Sequence, residues 1–145
     1  MIALIQRVTR AEVIVAGESV GHIGHGILAL IGVERDDTSR NAERLVERVL
    51  GYRIFQDETD RMNLSLREVA GGLLLVPQFT LAADTRKGTR ASFSTAAAPE
   101  RAHALFLEVV ARARAAYPAV ETGRFGAEMF VSLVNHGPVT FCLDA

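Results

Sequence analysis

Hydrophobic and polar positions alternate with period two along much of the chain, which is typical of half-buried strands. Ile2 to Val8 alternates in this way and predicts a first strand with one richer face. Glu12 to Ala16 and Ser19 to Ile23 flank a Gly-Glu pair, a spacing that indicates a short hairpin. Gly26 to Val33 is an unbroken apolar run, which predicts a strand buried on both faces.

Helical spacing replaces this alternation in two segments. Apolar residues recur at helical spacing from about Ser39 to Leu50, behind polar capping residues. A second helix is expected from Pro99, a favoured first helical position, to just before Pro118. Between them, Leu73 to Val76 follows two glycines and predicts another central strand. The predicted fold class is therefore α+β, with a largely antiparallel sheet curled toward a barrel and two main helices.

The last part of the chain alternates on both sides of a turn signal. Glu128 to Val134 and Val139 to Asp144 each have period two, and they are separated by a short Asn/Gly/Pro cluster. This pattern predicts an antiparallel hairpin. Pro138 lacks a backbone donor and Gly137 can adopt dihedral angles closed to other residues, so the pair could hold a carbonyl in an unusual direction. An ordinary hairpin turn is the simpler alternative.

Composition narrows the class of protein. The chain has 145 residues, of which 49% are apolar and 23% charged, so residues 1–145 are expected to form a single globular domain. No apolar run reaches the roughly 18 residues that span a bilayer, and the N-terminus does not resemble a signal peptide. The lone Cys142 excludes an internal disulfide and suits a reducing cytoplasm. A net charge of −1 implies that any nucleic-acid contact is local.

The end of the Leu73–Val76 strand is the first candidate for chemistry. Pro77 interrupts the strand there, so the N–H groups of Gln78, Phe79 and Thr80 could be free to bind a ligand oxygen, as an oxyanion hole requires. An edge strand with solvated polar side chains is the alternative. Thr80 could act as a nucleophile only with a base in reach, and none is evident.

The other candidate groups are weaker. His22 and His25 have no third ligand, so no metal site is predicted. The long segment from Ala82 to Ala98 contains a basic cluster. These side chains could contact phosphate groups, and a solvated run of charges is an equally good interpretation. The cluster consists of Arg86, Lys87 and Arg90.

Taken together, two motifs resemble those of the D-aminoacyl-tRNA deacylases. Pro77 to Leu81 (Pro-Gln-Phe-Thr-Leu) is similar to the Ser-Gln-Phe-Thr-Leu motif, and Asn135 to Thr140 (Asn-His-Gly-Pro-Val-Thr) is similar to the Asn-x-Gly-Pro-Val-Thr motif. The opening Met1 to Val8, the Leu50 to Phe55 block and the Thr122 to Phe125 block also resemble bacterial members. The likeness covers essentially the whole chain.

The resemblance implies a cytoplasmic homodimer that hydrolyses the ester between a D-amino acid, or glycine, and the 3′-terminal ribose of tRNA, without a cofactor and without DNA or membrane partners. Gly137 and Pro138, with Asn135 in the same motif, would form a cis Gly-Pro element. This element would reach into the partner's site and exclude L-amino acids. The tRNA's own 2′-hydroxyl would assist the attack.

Site roles also follow from the resemblance. The main chain of Gln78 and Phe79 would hold the ester, Phe79 would fix the pocket and Thr80 would line it as a positioning residue. Pro77 stands where the family has serine, so a hydroxyl and a backbone donor are absent there. His136 occupies the variable position of its motif, which argues against a role as general base.

Two alternatives remain open at the level of sequence. A non-catalytic module could bind the tRNA end through the same backbone groups. A relative with relaxed chirality, tied to a trans Gly137–Pro138 bond, could edit small L-amino acids instead.

Overall fold

The computed structural model describes residues 1–145 and contains eight strands, three helices and one 3-10 turn. The strands are β1 (Ile2–Val15), β2 (Glu18–Ile23), β3 (Gly26–Gly32), β4 (Phe55–Gln56), β5 (Met62–Leu64), β6 (Gly72–Pro77), β7 (Val120–Thr122) and β8 (Phe130–Asp144). The helices are α1 (Ser39–Gly51), α2 (Leu66–Val69) and α3 (Pro99–Ala116), and the 3-10 turn spans Phe79–Ala82.

Six strands form one curled sheet built around the long strand β1. One edge of β1 pairs antiparallel with β8, and its other edge pairs antiparallel with β3 and then with β2. Strands β3, β6 and β7 continue the sheet in parallel, and β2 curls back to touch β6 and β7. The predicted α+β class with a largely antiparallel, barrel-like sheet is confirmed, although these parallel pairings were not foreseen.

The two long helices cover one face of this sheet. Ile27, Ala29 and Ile31 of β3 belong to the large core beneath α1 and α3. Leu28 of β3 points to the opposite face, where a smaller cluster includes Leu74 of β6. The prediction that both central strands are buried on two faces is confirmed, and the reason is that the sheet curls over the face that the helices leave open.

The helices begin and end close to the predicted positions. The Oδ1 atom of Asn41 accepts the N–H of Thr38 at 2.9 Å, which caps the start of α1. In α3 the buried face includes Leu105, Phe106, Val109 and Val110, which recur at helical spacing. Helix α2 was not predicted, because a single turn is too short to show helical periodicity. No helix is both long and apolar enough to cross a membrane.

The predicted C-terminal hairpin is wrong. Both of its halves pair antiparallel with β1 and therefore run in the same direction, as parts of the single strand β8. Gln6 of β1 pairs with Thr140, and Val8 pairs with Asn135. Four residues of β8 thus stand opposite one residue of β1, as an enlarged β-bulge. We call the segment from His136 to Val139 the β8 insertion.

Candidate active site

The β8 insertion presents main-chain atoms to solvent. His136, Gly137 and Pro138 are all exposed. Gly137 has a φ of +145°, a conformation that favours glycine, and the Gly137–Pro138 bond is cis. This is the isomer that the resemblance implies, and it is not the trans isomer tied to the relaxed-chirality alternative.

Asn135, which directly precedes the insertion, holds its two ends together. Its Oδ1 atom accepts the N–H of Val139 at 2.8 Å, and its Nδ2 atom donates to Oγ1 of Thr140 at 2.9 Å. Nε2 of Gln6 on β1 donates to the same hydroxyl at 3.3 Å. The asparagine and threonine of the motif therefore close the two ends of the insertion onto each other and onto the neighbouring strand.

Arg7 supports the insertion from below. Only 5% of this residue is exposed, and its guanidinium lies beside Gly137. Nε donates to the carbonyl oxygen of His136 at 2.9 Å, and Nη1 donates to that of Ile54 at 2.7 Å. Burial lowers the pKa of His25 below its usual value, and the nearby His136 and Arg7 lower it further. The buried positive charge beneath the insertion is therefore that of Arg7.

The 3-10 turn after β6 forms the second part of the site. The N–H of Gln78 donates to the carbonyl oxygen of Ile31 at 2.8 Å and continues the sheet, so the prediction that this N–H is free is wrong. The first hydrogen bond of the turn runs from the N–H of Leu81 to the carbonyl oxygen of Gln78. The N–H groups of Phe79 and Thr80 therefore have no acceptor inside the turn.

The side chain of Thr80 is exposed and is paired with a donor. Nε2 of Gln78 donates to its Oγ1 atom, and no histidine or carboxylate contacts that hydroxyl. An amide donor cannot remove the hydroxyl proton, so this arrangement suits a positioning role rather than a nucleophile. No group of three His, Cys, Asp or Glu side chains is placed to hold a metal ion.

An open cleft of about 1090 Å³ begins at Gln78 and Phe79. Phe79 is 60% exposed, and the centroid of its ring lies 5.1 Å from that of Phe93, which is 45% exposed. Alanines that lead into α3 form another wall, and the charged lining residues are Arg35 and Arg101. The cleft can therefore hold an apolar or aromatic group at one place and an anionic group at another.

The candidate residues fall into two separate groups within the chain. Gln78 and Phe79 line the cleft, and Thr80 is exposed on the same turn. Neither Gly137 nor Pro138 lines that cleft, because the β8 insertion lies over Arg7 instead. One chain alone does not bring the two motifs together.

The basic loop is partly neutralised by a neighbouring acid. Asp84 accepts from Nε and Nη2 of Arg86 at 2.9 and 2.7 Å, and these hydrogen bonds hold the pKa of Asp84 well below its usual range. Lys87 and Arg90 are exposed and form no salt bridge. Of the three predicted tRNA contacts, these two carry the uncompensated charge.

Sequence reasoning missed several residues that the structure adds to the site. Phe93 was the one large aromatic residue in a segment of small and polar residues, a signal that could have singled it out. Arg7 is a charge on the buried face of β1, where it follows Ala3 and Ile5. Nothing in the sequence pattern indicates that Arg35 and Arg101, far apart in the chain, share one cleft.

Comparison with solved structures defines the class of fold. The structure of the c-Myc DNA Unwinding Element Binding Protein matches with a TM-score of 0.95 and 36% identity, over 100% of this chain and 99% of that chain. A structure described as a probable eukaryotic D-amino acid tRNA deacylase matches with a TM-score of 0.86 over 99% of this chain and 98% of that chain. Its identity is 20%, which shows a shared fold. The chain thus shares its curled-sheet fold with both of these proteins.

Sequence comparison defines the family. The model of the D-Tyr-tRNA(Tyr) deacylase family matches residues 4–144. A D-aminoacyl-tRNA deacylase of Thioalkalivibrio sulfidiphilus is 65% identical, with 99% of this chain and 97% of the relative covered. One from Escherichia coli O1:K1 is 59% identical, with 99% of both chains covered. The chain belongs to the D-Tyr-tRNA(Tyr) deacylase family.

Proposed function

We propose that this protein is a D-aminoacyl-tRNA deacylase that hydrolyses the ester between a D-amino acid, or glycine, and the 3′-terminal ribose of tRNA. Family membership over nearly the whole chain supports the activity itself. The observation that carries the chiral part of the proposal is that two motifs offer main-chain groups to solvent: the Phe79 and Thr80 N–H groups beside the cleft, and the braced β8 insertion. The reaction takes place in the cytoplasm and uses no cofactor.

The hydrolysis relies on main-chain donors. A water oxygen adds to the ester carbonyl carbon, and the bond from that carbon to the ribose oxygen breaks. The products are the free D-amino acid and tRNA with its terminal hydroxyl restored. The N–H groups of Phe79 and Thr80 stabilise the oxyanion, and the tRNA 2′-hydroxyl assists the attack. Thr80 helps to position the ester, and the hydrogen bond from the Gln78 side chain orients its hydroxyl. Gln78 acts through this side chain, because its N–H is bonded to Ile31.

Chiral selection requires a second copy of the chain. Gly137 and Pro138 of the partner subunit reach into the cleft and leave no room for the side chain of an L-amino acid. Asn135 keeps these carbonyls in place through the N–H of Val139. Two observations support a homodimer with a shared site: the β8 insertion lies away from the cleft of its own chain, and β8 has an unpaired outer edge.

The tRNA backbone beyond the 3′ end meets the loop between the 3-10 turn and α3. Lys87 and Arg90 supply charge there, and Arg86 contributes less because Asp84 already holds its guanidinium. Because the net charge of the chain is −1, such local contacts must position the RNA.

The decisive experiment compares mirror-image substrates. Protein present at less than one equivalent should release D-tyrosine from charged tRNA over many turnovers and leave the L-tyrosine ester intact. Binding of the tRNA end without turnover would instead establish the non-catalytic module, which uses the same backbone groups. Equal rates on the two esters would remove the role proposed for Gly137 and Pro138.

A further inference from the structure

We propose that Arg35 and Arg101 form a phosphate subsite in the cleft, which binds the phosphodiester group of the terminal tRNA nucleotide while the ester lies at Phe79. This inference rests on the function proposed above and adds a specific pair of substrate contacts to it. Arg35 precedes α1 and Arg101 lies in the first turn of α3, so 66 positions of sequence separate two side chains that line one cleft.

Both guanidinium groups are held by carbonyl oxygens. A side-chain nitrogen of Arg35 donates to the carbonyl oxygen of Ser94, and one of Arg101 donates to that of Asp37. Each contact uses one of the five donors of a guanidinium and fixes its direction without neutralising its charge. Both side chains are therefore positioned and keep donors free for a ligand.

Neither arginine takes part in a salt bridge. This distinguishes them from Arg86 and Arg112, whose charges are compensated by Asp84 and Glu108. Two exposed cations without an acidic partner, held beside one cleft, attract an anion by the sum of their charges. The chemistry of this end of the cleft is thus that of an anion site.

The phosphodiester is the one anionic group that the substrate can offer there. The carboxyl group of the amino acid is esterified and neutral, and its amino group is a cation that two arginines repel. Planar guanidinium groups pair well with phosphate oxygens, in single or bidentate contacts. The pair of arginines therefore also orients the ester, because it holds the phosphate end of the nucleotide and turns the amino end away.

The test compares two substrates of the same protein. D-tyrosyl-tRNA carries the phosphate, and the D-tyrosyl ester of adenosine lacks it. For Arg35→Gln and Arg101→Gln, the ratio of kcat/KM on tRNA to kcat/KM on the nucleoside ester should fall about tenfold each, since a charged hydrogen bond is lost. The matched control is Arg114→Gln, an exposed arginine at the other end of α3, which should leave the ratio unchanged.

Salt dependence and binding provide a second readout. The slope of log(kcat/KM) against log[salt] on tRNA should become shallower by about 0.7 for each lost phosphate contact. Non-hydrolysable amide analogues of D-tyrosyl-CCA and D-tyrosyladenosine should show the same loss of discrimination in binding assays. Equal losses on both substrates, or an unchanged ratio and slope, would overturn the subsite. If the wild-type protein bound the CCA analogue but did not hydrolyse D-tyrosyl-tRNA, the proposed deacylase function would be wrong. The ratio of the affinities for the two analogues would still test the phosphate subsite.

Discussion

Gly137 is the residue at which one added methyl group should do most harm to the β8 insertion. Its φ is +145°, and a Cβ atom there would lie 2.6 Å from Cγ2 of Val139 and 2.9 Å from its backbone nitrogen. We expect Gly137→Ala to shift the carbonyls by a fraction of an ångström or more, and to lower kcat/KM on D-tyrosyl-tRNA about 100-fold. Steady-state kinetics on both mirror-image esters measure this effect.

The control for that substitution is Gly24→Ala. A Cβ atom at Gly24 meets nothing within 4 Å, and its φ is not in the left-handed region. This variant should retain wild-type rates. If Gly137→Ala also retained them, the insertion would not be part of the catalytic complex.

Thr80 allows a test of covalent chemistry at the residue scale. Its hydroxyl accepts a hydrogen bond from the Gln78 side chain and has no base beside it. Thr80→Ala should therefore lower kcat about tenfold, by the loss of one positioning hydrogen bond, and should not abolish turnover. Complete loss of turnover in a protein that still folds and binds tRNA would restore Thr80 as the nucleophile, and Thr80→Ser would then keep activity.

At the scale of elements, Arg7 joins three parts of the chain: β1, the β8 insertion and the segment that enters β4. Arg7→Met would leave the carbonyl oxygens of His136 and Ile54 without a donor, at a cost of about 2 kcal/mol in the free energy of unfolding. Denaturant unfolding measures this loss. We also expect the insertion to become less ordered, which should reduce the preference for the D-ester over the L-ester.

Arg10→Met is the matched control for this element, because Arg10 lies on the same strand and its exposed side chain forms no hydrogen bond or salt bridge. It should change neither stability nor chiral preference. Equal stability losses in the two variants would mean that charge on β1, rather than the ties made by Arg7, accounts for the effect.

Periodicity predicted the elements well and their connection poorly. The stripe of α3 and the apolar run of β3 identified both elements, because burial on a defined face leaves a regular pattern. The same period-two pattern on both sides of a Gly-Pro pair fits a hairpin and fits one long strand with an insertion. Chain direction after Pro138 depends on pairing with β1, which alternation does not encode. The end of the central strand at Pro77 was located correctly, while the availability of the Gln78 N–H depended on its distant partner, Ile31.

At the scale of the whole molecule, the apolar residues left exposed on β8 indicate where a second copy would bind. Phe130 is 68% exposed and Val134 is 42% exposed. The two residues lie four positions apart on the same face of β8. Replacing both with lysine should convert the proposed homodimer to a monomer, because two charges would be buried without partners. Light scattering coupled to size-exclusion chromatography measures the mass of each species.

The control places lysine at Leu107, which is 52% exposed on α3. That variant should keep the mass and activity of the wild type. The double lysine variant should lose turnover together with its dimeric mass, since each cleft would lack the partner's β8 insertion. A monomer that still hydrolysed only the D-ester would disprove the shared site.

The groups proposed to act at Phe79, Thr80 and Gly137 are amides and carbonyls of the polypeptide itself. Every residue type carries a carbonyl, and every type except proline carries an N–H, so exchanging a side chain leaves these atoms in the chain. An inhibitor that binds to them would leave the enzyme few routes to resistance by point mutation. A resistance mutation would have to move the main chain at these positions, and the same movement would impair binding of the substrate.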